Sequence, residues 1–118
     1  MRAKDALGKY GEQLAAEHLE AAGLVLIQRN WRCRDGELDI VARDGDVLVV
    51  CEVKARSSTA FGTPAEAVDW RKAARLRRLA AMWLQESSER FESIRFDIVA
   101  VLRTPDGTHQ VDHLVGVL

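Results

Sequence analysis

Two apolar runs on either side of an Asp-Gly pair constrain the fold of this 118-residue chain most strongly. Residues 36–54 read GELDIVARDGDVLVVCEVK, and both runs are rich in the aliphatic residues that favour β-strands. An Asp-Gly pair between such runs is typical of a two-residue hairpin turn. We therefore predict an antiparallel hairpin with Asp44 and Gly45 in its turn.

That turn also predicts the register of the hairpin. Asp39 is expected opposite Val50, and Glu37 opposite Glu52. Asp39 is then diagonal to Glu52 on the same face, about 7 to 8 Å away at the backbone, and a metal ion fits between the two carboxylates. A three-residue loop would instead shift the pairing by one residue and move Asp39 away from Glu52.

Side-chain alternation divides the hairpin into two faces. The predicted core face holds Leu38, Ile40, Ala42, Val47, Val49, Cys51 and Val53. The other face holds Val41, Leu48 and Val50 near the turn, and Glu37, Asp39, Glu52 and Lys54 at the far end. Charged side chains that gather on an otherwise apolar sheet indicate a functional site at that end.

Periodicity and turn signals predict the other elements. Apolar residues at helical spacing indicate a first helix over residues 5–22, with Gly23 as its C-terminal cap, and a strand over residues 24–31 precedes the hairpin. After a small polar loop over residues 55–63, the capping box Thr63-Pro64-Ala65-Glu66 starts a second helix. This helix ends near Gln85, with a restart at Asp69 left open. Two further strands are predicted over residues 94–102 and 110–117, on either side of a turn at residues 105–107.

The resulting order is α-β-β-β-α-β-β. Because the second helix crosses over between the third and fourth strands, those two strands should be parallel. The fold class is therefore α/β, with a mixed five-stranded sheet flanked by helices. A chain of 118 residues has the length of one domain, which we expect to span residues 1–118.

The composition limits the classes of partner. Seventeen basic and eighteen acidic residues give a net charge of -1, so any contact with nucleic acid must come from a local basic patch. The polar N-terminal segment lacks the apolar core of a signal peptide, and no apolar run approaches transmembrane length, so we expect a cytoplasmic protein with no membrane partner. Cys33 and Cys51 are isolated, and we expect free, buried thiols.

The acidic residues of the hairpin indicate a metal-dependent site. An acid followed two residues later by a lysine is a weak pattern, but Glu52 and Lys54 complete it at the end of an apolar strand. Neighbouring carboxylates repel each other, and a divalent cation removes this repulsion. Oxygen ligands without His or Cys suit Mg²⁺ or Mn²⁺, and Lys54 is placed to hold water or stabilise charge on a phosphate. The alternative is that Glu52 and Lys54 form an ordinary ion pair at the end of the strand, in contact with solvent.

Helical residues are candidates for the rest of the site. Glu12 projects from the edge of the first helix and is either a site residue or a solvated acid. Gly8 and Gly11 are costly inside a helix and indicate a close backbone approach, to the sheet or to a phosphate.

Asp97 lies within an apolar strand, where a partner such as Arg32 or Arg95 is as plausible as a role in the site.

The second helix carries a basic stripe. Residues 54–78 contain seven basic residues against two acids, Glu66 and Asp69. Contact with a phosphate backbone is our interpretation, and a solvated helix face is the alternative. Lys72 differs, because it falls on the apolar side of the helix and is expected to point toward the site. The candidate nucleic-acid-binding residues are Arg56, Arg71, Lys72, Arg75 and Arg78.

Six motifs are spread over nearly the whole chain: Gly11-Glu12, Arg29-Asn30-Trp31-Arg32, Gly36-Glu37-Leu38-Asp39-Ile40-Val41, Glu52-Val53-Lys54-Ala55-Arg56, Lys72 and Arg95-Phe96-Asp97. Together they resemble the YraN family of small bacterial proteins. That family is similar to the PD-(D/E)XK nucleases of the restriction-endonuclease-like superfamily, and especially to archaeal Holliday-junction resolvases. Leu38 stands where the proline of the PD-(D/E)XK motif would precede Asp39, a departure that is common in the superfamily.

The resemblance implies a three-layer restriction-endonuclease-like fold and assigns roles to the site. Glu12, Asp39, Glu52 and Lys54 take the catalytic positions, and Asp39, Glu52 and the backbone carbonyl of Val53 are the implied metal ligands. The leading hypothesis is a Mg²⁺-dependent endonuclease that acts on DNA, with branched or otherwise structured DNA as an implied substrate. Junction-cutting enzymes commonly act as dimers. The resemblance therefore leaves a homodimer open as the oligomeric state.

Two other interpretations remain. One is a nucleic-acid-binding or assembly module on a nuclease scaffold with little or no hydrolysis. The other makes the charged end of the hairpin a structural ion-pair network.

Overall fold

A computed structural model describes residues 3–57 and 70–118. The order of its elements is the predicted α-β-β-β-α-β-β. The predicted capping box at residues 63–66 and the restart at Asp69 lie outside the described residues. The elements are α1 (Ala3–Ala21), β1 (Val25–Cys33), β2 (Gly36–Asp44), β3 (Val47–Arg56), α2 (Trp70–Glu86), β4 (Ser93–Arg103) and β5 (His109–Leu114).

The five strands form one mixed sheet in the order β1-β2-β3-β4-β5. Strands β3 and β4 are parallel, as the crossover through α2 requires, and the other neighbouring pairs are antiparallel. The two helices pack on opposite faces of this sheet. The three-layer arrangement predicted from the resemblance is therefore confirmed. No helix in the described ranges is long and apolar enough to cross a membrane.

Each face of the sheet has its own apolar core. Helix α1 buries Ala15, Ala16 and Leu19 against one face, and α2 buries Leu76, Leu79, Ala80 and Trp83 against the other. The first face contributes Ile40, Ala42, Val49, Cys51, Val99 and Val101. The second contributes Trp31, Leu38, Val41, Leu48, Val50 and Phe96. Because β3 and β4 are covered on both sides, their sequences are nearly continuous apolar runs.

Two glycines shape helix α1, one at its C-terminal end and one at its contact with the sheet. Gly23 has a φ of 95°, and the Leu24 N–H donates to the Leu19 carbonyl at 3.1 Å, which is the Schellman closure expected for a glycine cap. At Gly11, a Cβ would lie 2.6 Å from the Cβ of Ala55, so α1 approaches β3 as closely as a glycine allows. Gly8 has no such neighbour within 4 Å among the described residues, so the close approach to the sheet is observed at Gly11.

The predicted hairpin register is wrong by two residues. Val50 pairs with Val41 rather than with Asp39, and Asp44 pairs with Val47, so that Gly45 and Asp46 are the turn residues. Gly45 has a φ of 59°, which suits the first central position of a type II′ turn. A shift of two residues leaves every side chain on its face, so apolar alternation cannot distinguish the two registers.

Leu38 does not lie on its predicted face. Leu38 belongs to the core under α2, whereas Ile40 belongs to the core under α1, although strict alternation would place them on the same face. The β2–β3 pairing ends at Ile40 and Cys51, so the predicted pair of Glu37 and Glu52 does not form. The interruption falls at Asp39, whose carboxylate accepts a hydrogen bond from the Val53 N–H at 2.9 Å.

The other corrections concern the ends of elements. Strand β3 continues through Ala55 and Arg56, where a loop was predicted, because it remains paired with β4 up to Arg56 and Leu102. Strand β1 continues to Cys33, which pairs with Gly36. Strand β5 ends at Leu114, before the predicted residue 117, because the chain turns back onto β4. There the Val117 N–H donates to the Phe96 carbonyl at 3.1 Å.

Candidate functional site

Three carboxylates meet where β2 separates from β3. Glu12 comes from α1, and Glu37 and Asp39 come from the start of β2. One ligand oxygen from each lies within 4.8 Å of the others, and all three residues are partly buried. The close contact at Gly11 explains how the neighbouring Glu12 reaches the sheet. We refer to Glu12, Glu37 and Asp39 as the carboxylate group.

Asp39 is the most constrained member of the carboxylate group. Its Oδ2 accepts the Val53 N–H at 2.9 Å, so the side chain replaces the backbone acceptor that a continued ladder would supply. Burial raises the pKa of Asp39 to about 6, and the nearby charges of Glu52, Glu12 and Glu37 act in the same direction. The bond from Val53 opposes this rise. The site therefore holds negative charge that burial and repulsion make costly.

Glu52 lies beside the carboxylate group but is held by two lysines. Lys72 Nζ is 2.9 Å from Glu52 Oε1, and Lys54 Nζ is 3.7 Å from the same oxygen. All three side chains are less than one fifth exposed. The charge of Glu52 adds to the raised pKa of Asp39, but Glu52 is not among the three acids whose oxygens lie within 4.8 Å of one another.

Lys54 sits in a setting that favours its neutral form. Burial is the main cause that lowers the pKa of Lys54, and a hydrogen bond with Lys72 adds to it. Glu52 acts in the opposite direction. Lys54 therefore gives up its proton more readily than an exposed lysine.

The structure separates Lys72 from the other basic residues of α2. Lys72 reaches into the site and contacts Glu52, whereas Arg71, Arg75 and Arg78 are exposed. Leu79 faces the start of β2, where a Cβ at Gly36 would lie 3.1 Å from the leucine side chain. Helix α2 therefore presents Lys72 to the site and the stripe of Arg71, Arg75 and Arg78 to solvent.

The remaining predicted residues take less central positions. Arg56 is exposed at the end of β3, and its guanidinium donates to the carbonyl of Ala55 at 3.0 Å. Val53 takes part through its N–H, and metal binding by its carbonyl remains a prediction. The sequence placed Glu37 at the charged end of the hairpin but assigned it no catalytic or metal-binding role, although it lies two residues before Asp39. Glu37 also pairs with Arg32 at 2.9 Å.

Comparison with known proteins assigns the chain to a family. A sequence model of the Uncharacterised protein family UPF0102 matches residues 11–101, a range that includes the carboxylate group, Glu52 and both site lysines. The chain belongs to the UPF0102 family. This is the YraN family that the sequence motifs resemble, so the predicted family is confirmed.

Relatives from several bacteria match along almost their whole length. A UPF0102 protein of Beutenbergia cavernae is 62% identical over 117 residues, which are 99% of each chain. One of Frankia alni is 60% identical over 116 residues, 98% of this chain and 97% of the relative. One of Nocardioides sp. is 57% identical over 114 residues, 97% of this chain and 92% of the relative. These names assign no activity.

The carboxylate group of this UPF0102 protein fits a hard divalent cation. It offers carboxylate oxygens only, with neither His nor Cys among its three residues. Oxygen ligands of this kind suit Mg²⁺ or Mn²⁺ better than Zn²⁺.

Asp97 of this UPF0102 protein belongs to a separate network. Its fully buried carboxylate accepts hydrogen bonds from Arg95 Nε at 3.0 Å and from the Gly116 N–H at 2.8 Å, and it lies 2.7 Å from His113 Nε2. Burial acts against ionisation, but these bonds lower the pKa of Asp97. Arg95 is thus the partner of Asp97, and the alternative Arg32 pairs with Glu37. The network ties the chain after β5 to β4.

Proposed function

We propose that this protein is a metal-dependent endonuclease that hydrolyses phosphodiester bonds in DNA, including branched DNA. The observation that carries this proposal is the carboxylate group, in which Asp39 is held by the Val53 N–H while two further acids approach it. Burying three acids together is unfavourable unless a cation joins them. The mostly buried Lys54 lies on the adjacent strand.

Asp39, Glu12 and Glu37 are the residues that would hold Mg²⁺ or Mn²⁺. Glu52 is a further ligand candidate if its carboxylate leaves Lys72. A bound ion of this type would polarise the scissile phosphate and lower the pKa of a water molecule. Lys54, with its lowered pKa, is suited to hold that water or to exchange a proton with it. The Val53 N–H keeps Asp39 oriented.

The exposed stripe of α2 supplies the contact with the nucleic acid. Arg71, Arg75 and Arg78 would bind phosphate oxygens, a contact that orients the strand without reading its sequence. The stripe belongs to the same helix as Lys72, which contacts Glu52, so a strand that follows the stripe runs along an element that reaches the site.

A cleavage assay with matched variants tests the proposal. Purified protein is incubated with Mg²⁺ or Mn²⁺ and labelled duplex, flap and four-way DNA. We expect Asp39→Asn and Glu12→Gln to lower the cleavage rate at least about 100-fold. Glu20→Gln makes the same change on an exposed part of α1 and should preserve the rate. Cleavage that is undiminished in Asp39→Asn would overturn the assignment.

A second candidate function is nucleic-acid binding or assembly without hydrolysis. The observation that favours it is the engagement of Glu52 by Lys72 and Lys54, which occupies one of the predicted metal ligands with protein cations. The basic stripe of α2 needs no metal to bind phosphate. Salt-dependent DNA binding that is equal in EDTA and in Mg²⁺, with no cleavage of any substrate, would support this function over the first.

A further inference from the structure

We infer that Trp70 is a stacking platform for an unpaired base, so that the protein prefers DNA with a single-stranded or branched segment. This inference rests on the proposed nucleic-acid function and deepens it by naming the substrate class. The chain has three tryptophans, and Trp31 and Trp83 are only 8% and 4% exposed. Trp70 is 75% exposed.

The position of Trp70 joins it to the basic stripe. Trp70 is the first residue of α2, and the guanidinium of Arg71 lies 5.4 Å from its ring centroid. Successive residues are about 100° apart around a helix, so Trp70 lies about 80 to 100° from Arg71 and Arg78 and about 120° from the buried Leu76. Two residues further, Lys72 contacts Glu52 in the site. The indole therefore lies beside the first arginine of the stripe, at the end of α2 that also reaches the site.

The surroundings of the indole match a nucleotide better than an apolar surface. An exposed indole bordered by guanidinium groups offers a flat face for a base and positive charge for its phosphates. An apolar protein partner would have to bury those charges at the same contact, which is costly. Paired bases inside a duplex are already stacked on both faces. Only an unpaired base, as in a single strand, a flap or an open junction, is available to Trp70.

Binding measurements on the metal-free protein test this inference apart from cleavage. In EDTA, affinity is measured for an oligothymidine, for a blunt duplex and for a four-way junction, with wild type, Trp70→Ala and Trp70→Phe. We expect Trp70→Ala to weaken binding of the oligothymidine about tenfold, with little effect on the duplex. Trp70→Phe should retain most of the affinity. Because Trp31 and Trp83 are buried, quenching of tryptophan fluorescence by the oligothymidine reports on Trp70.

Matched variants separate a failure of this inference from a failure of the proposed function. Val25→Ala removes another exposed apolar side chain, 61% exposed on β1, and should leave all affinities unchanged. Arg75→Ala should weaken binding of all three DNA forms. Loss in Arg75→Ala combined with full oligothymidine binding in Trp70→Ala would overturn the stacking inference alone. No binding of any DNA by the wild type would overturn the proposed function as well.

Discussion

Asp39 is the residue at which the regular sheet gives way to the site. Its carboxylate accepts a backbone N–H from the neighbouring strand, and the side-chain alternation of β2 breaks at the same point. The bond that completes the backbone pairing thus also orients a candidate metal ligand. An amide side chain has an oxygen with which it can accept the same bond, so Asp39→Asn separates the role of the charge from the role of the hydrogen bond.

The raised pKa of Asp39 predicts how stability depends on pH in the metal-free protein. The carboxyl has a pKa of 3.8 as its ordinary value and about 6 in the fold, so between these values the folded state binds more protons than the unfolded state. Stability that is present below pH 3.8 is therefore lost as the pH rises through about 6. This effect amounts to at most about 3 kcal/mol.

Asp39→Asn should remove that loss. We expect the variant to be more stable than the wild type at pH 8 in EDTA, because the amide carries no charge. The two proteins should differ least near pH 4, where the Asp39 carboxyl of the folded wild type is protonated and uncharged as well. Urea unfolding from pH 4 to pH 8 measures both profiles, with Glu20→Gln as the control. An Asp39→Asn protein that is less stable than the wild type at pH 8 would show that the charge is already balanced.

The contact between α1 and β3 depends on the absence of a side chain at one residue. Gly11→Ala should destabilise the protein by about 1 to 3 kcal/mol, because the new methyl group overlaps with Ala55. Gly8→Ala meets no neighbour in the described part of the chain and should be neutral or stabilising by about 0.5 to 1 kcal/mol. Thermal and urea unfolding measure both. Equal effects of the two variants would contradict the close helix–sheet contact.

Helix α2 combines a site residue with an exposed binding surface, and two variants distinguish them. Lys72→Ala removes the shorter ion pair of the mostly buried Glu52 and should cost about 1 to 3 kcal/mol of stability. Arg75→Ala changes an exposed residue and should alter stability by less than about 0.5 kcal/mol.

Arg75→Ala should affect DNA binding clearly, although it should hardly affect stability. We expect Arg75→Ala to reduce the slope of log affinity against log salt by about 1, the change for one lost phosphate contact. Urea unfolding and salt titrations of DNA binding provide the two measurements. A Lys72→Ala protein as stable as Arg75→Ala would mean that the Glu52 ion pair contributes nothing to the fold.

The sequence predicts the order of elements well and their register less well. Apolar periodicity and turn signals identify both helices and all five strands in order. The register is missed because pairings that differ by two residues satisfy the same alternation, and the choice depends on which turn position takes the positive φ of Gly45. Leu38 is misplaced because the break at Asp39 depends on a tertiary bond to Val53.

At the scale of the whole molecule, the site is assembled from four elements of the fold. Helix α1 supplies Glu12, β2 supplies Glu37 and Asp39, β3 supplies Glu52 and Lys54, and α2 supplies Lys72. A near-zero net charge conceals the contrast between the acidic carboxylate group and the basic stripe of α2.

Strand-end charges, the place of Glu12 at the edge of its helix, the place of Lys72 on the apolar side of α2 and the family resemblance indicate these residues. The spacing of Glu37 and Asp39 is visible in the sequence, but only the folded arrangement shows that two lysines hold Glu52 while Glu37 stays beside Asp39. The same limit applies to Trp70, whose importance rests on its exposure.

Binding of Mn²⁺ tests the central assignment most directly. Mn²⁺ is titrated at pH 8 into wild type, Asp39→Asn and Glu20→Gln, and bound ion is followed by electron paramagnetic resonance or calorimetry. We predict that the wild type and Glu20→Gln bind Mn²⁺ equally, and that Asp39→Asn loses at least about tenfold in affinity because a charged ligand is gone. Equal binding by all three proteins, or no binding by the wild type, would contradict a metal site at the carboxylate group.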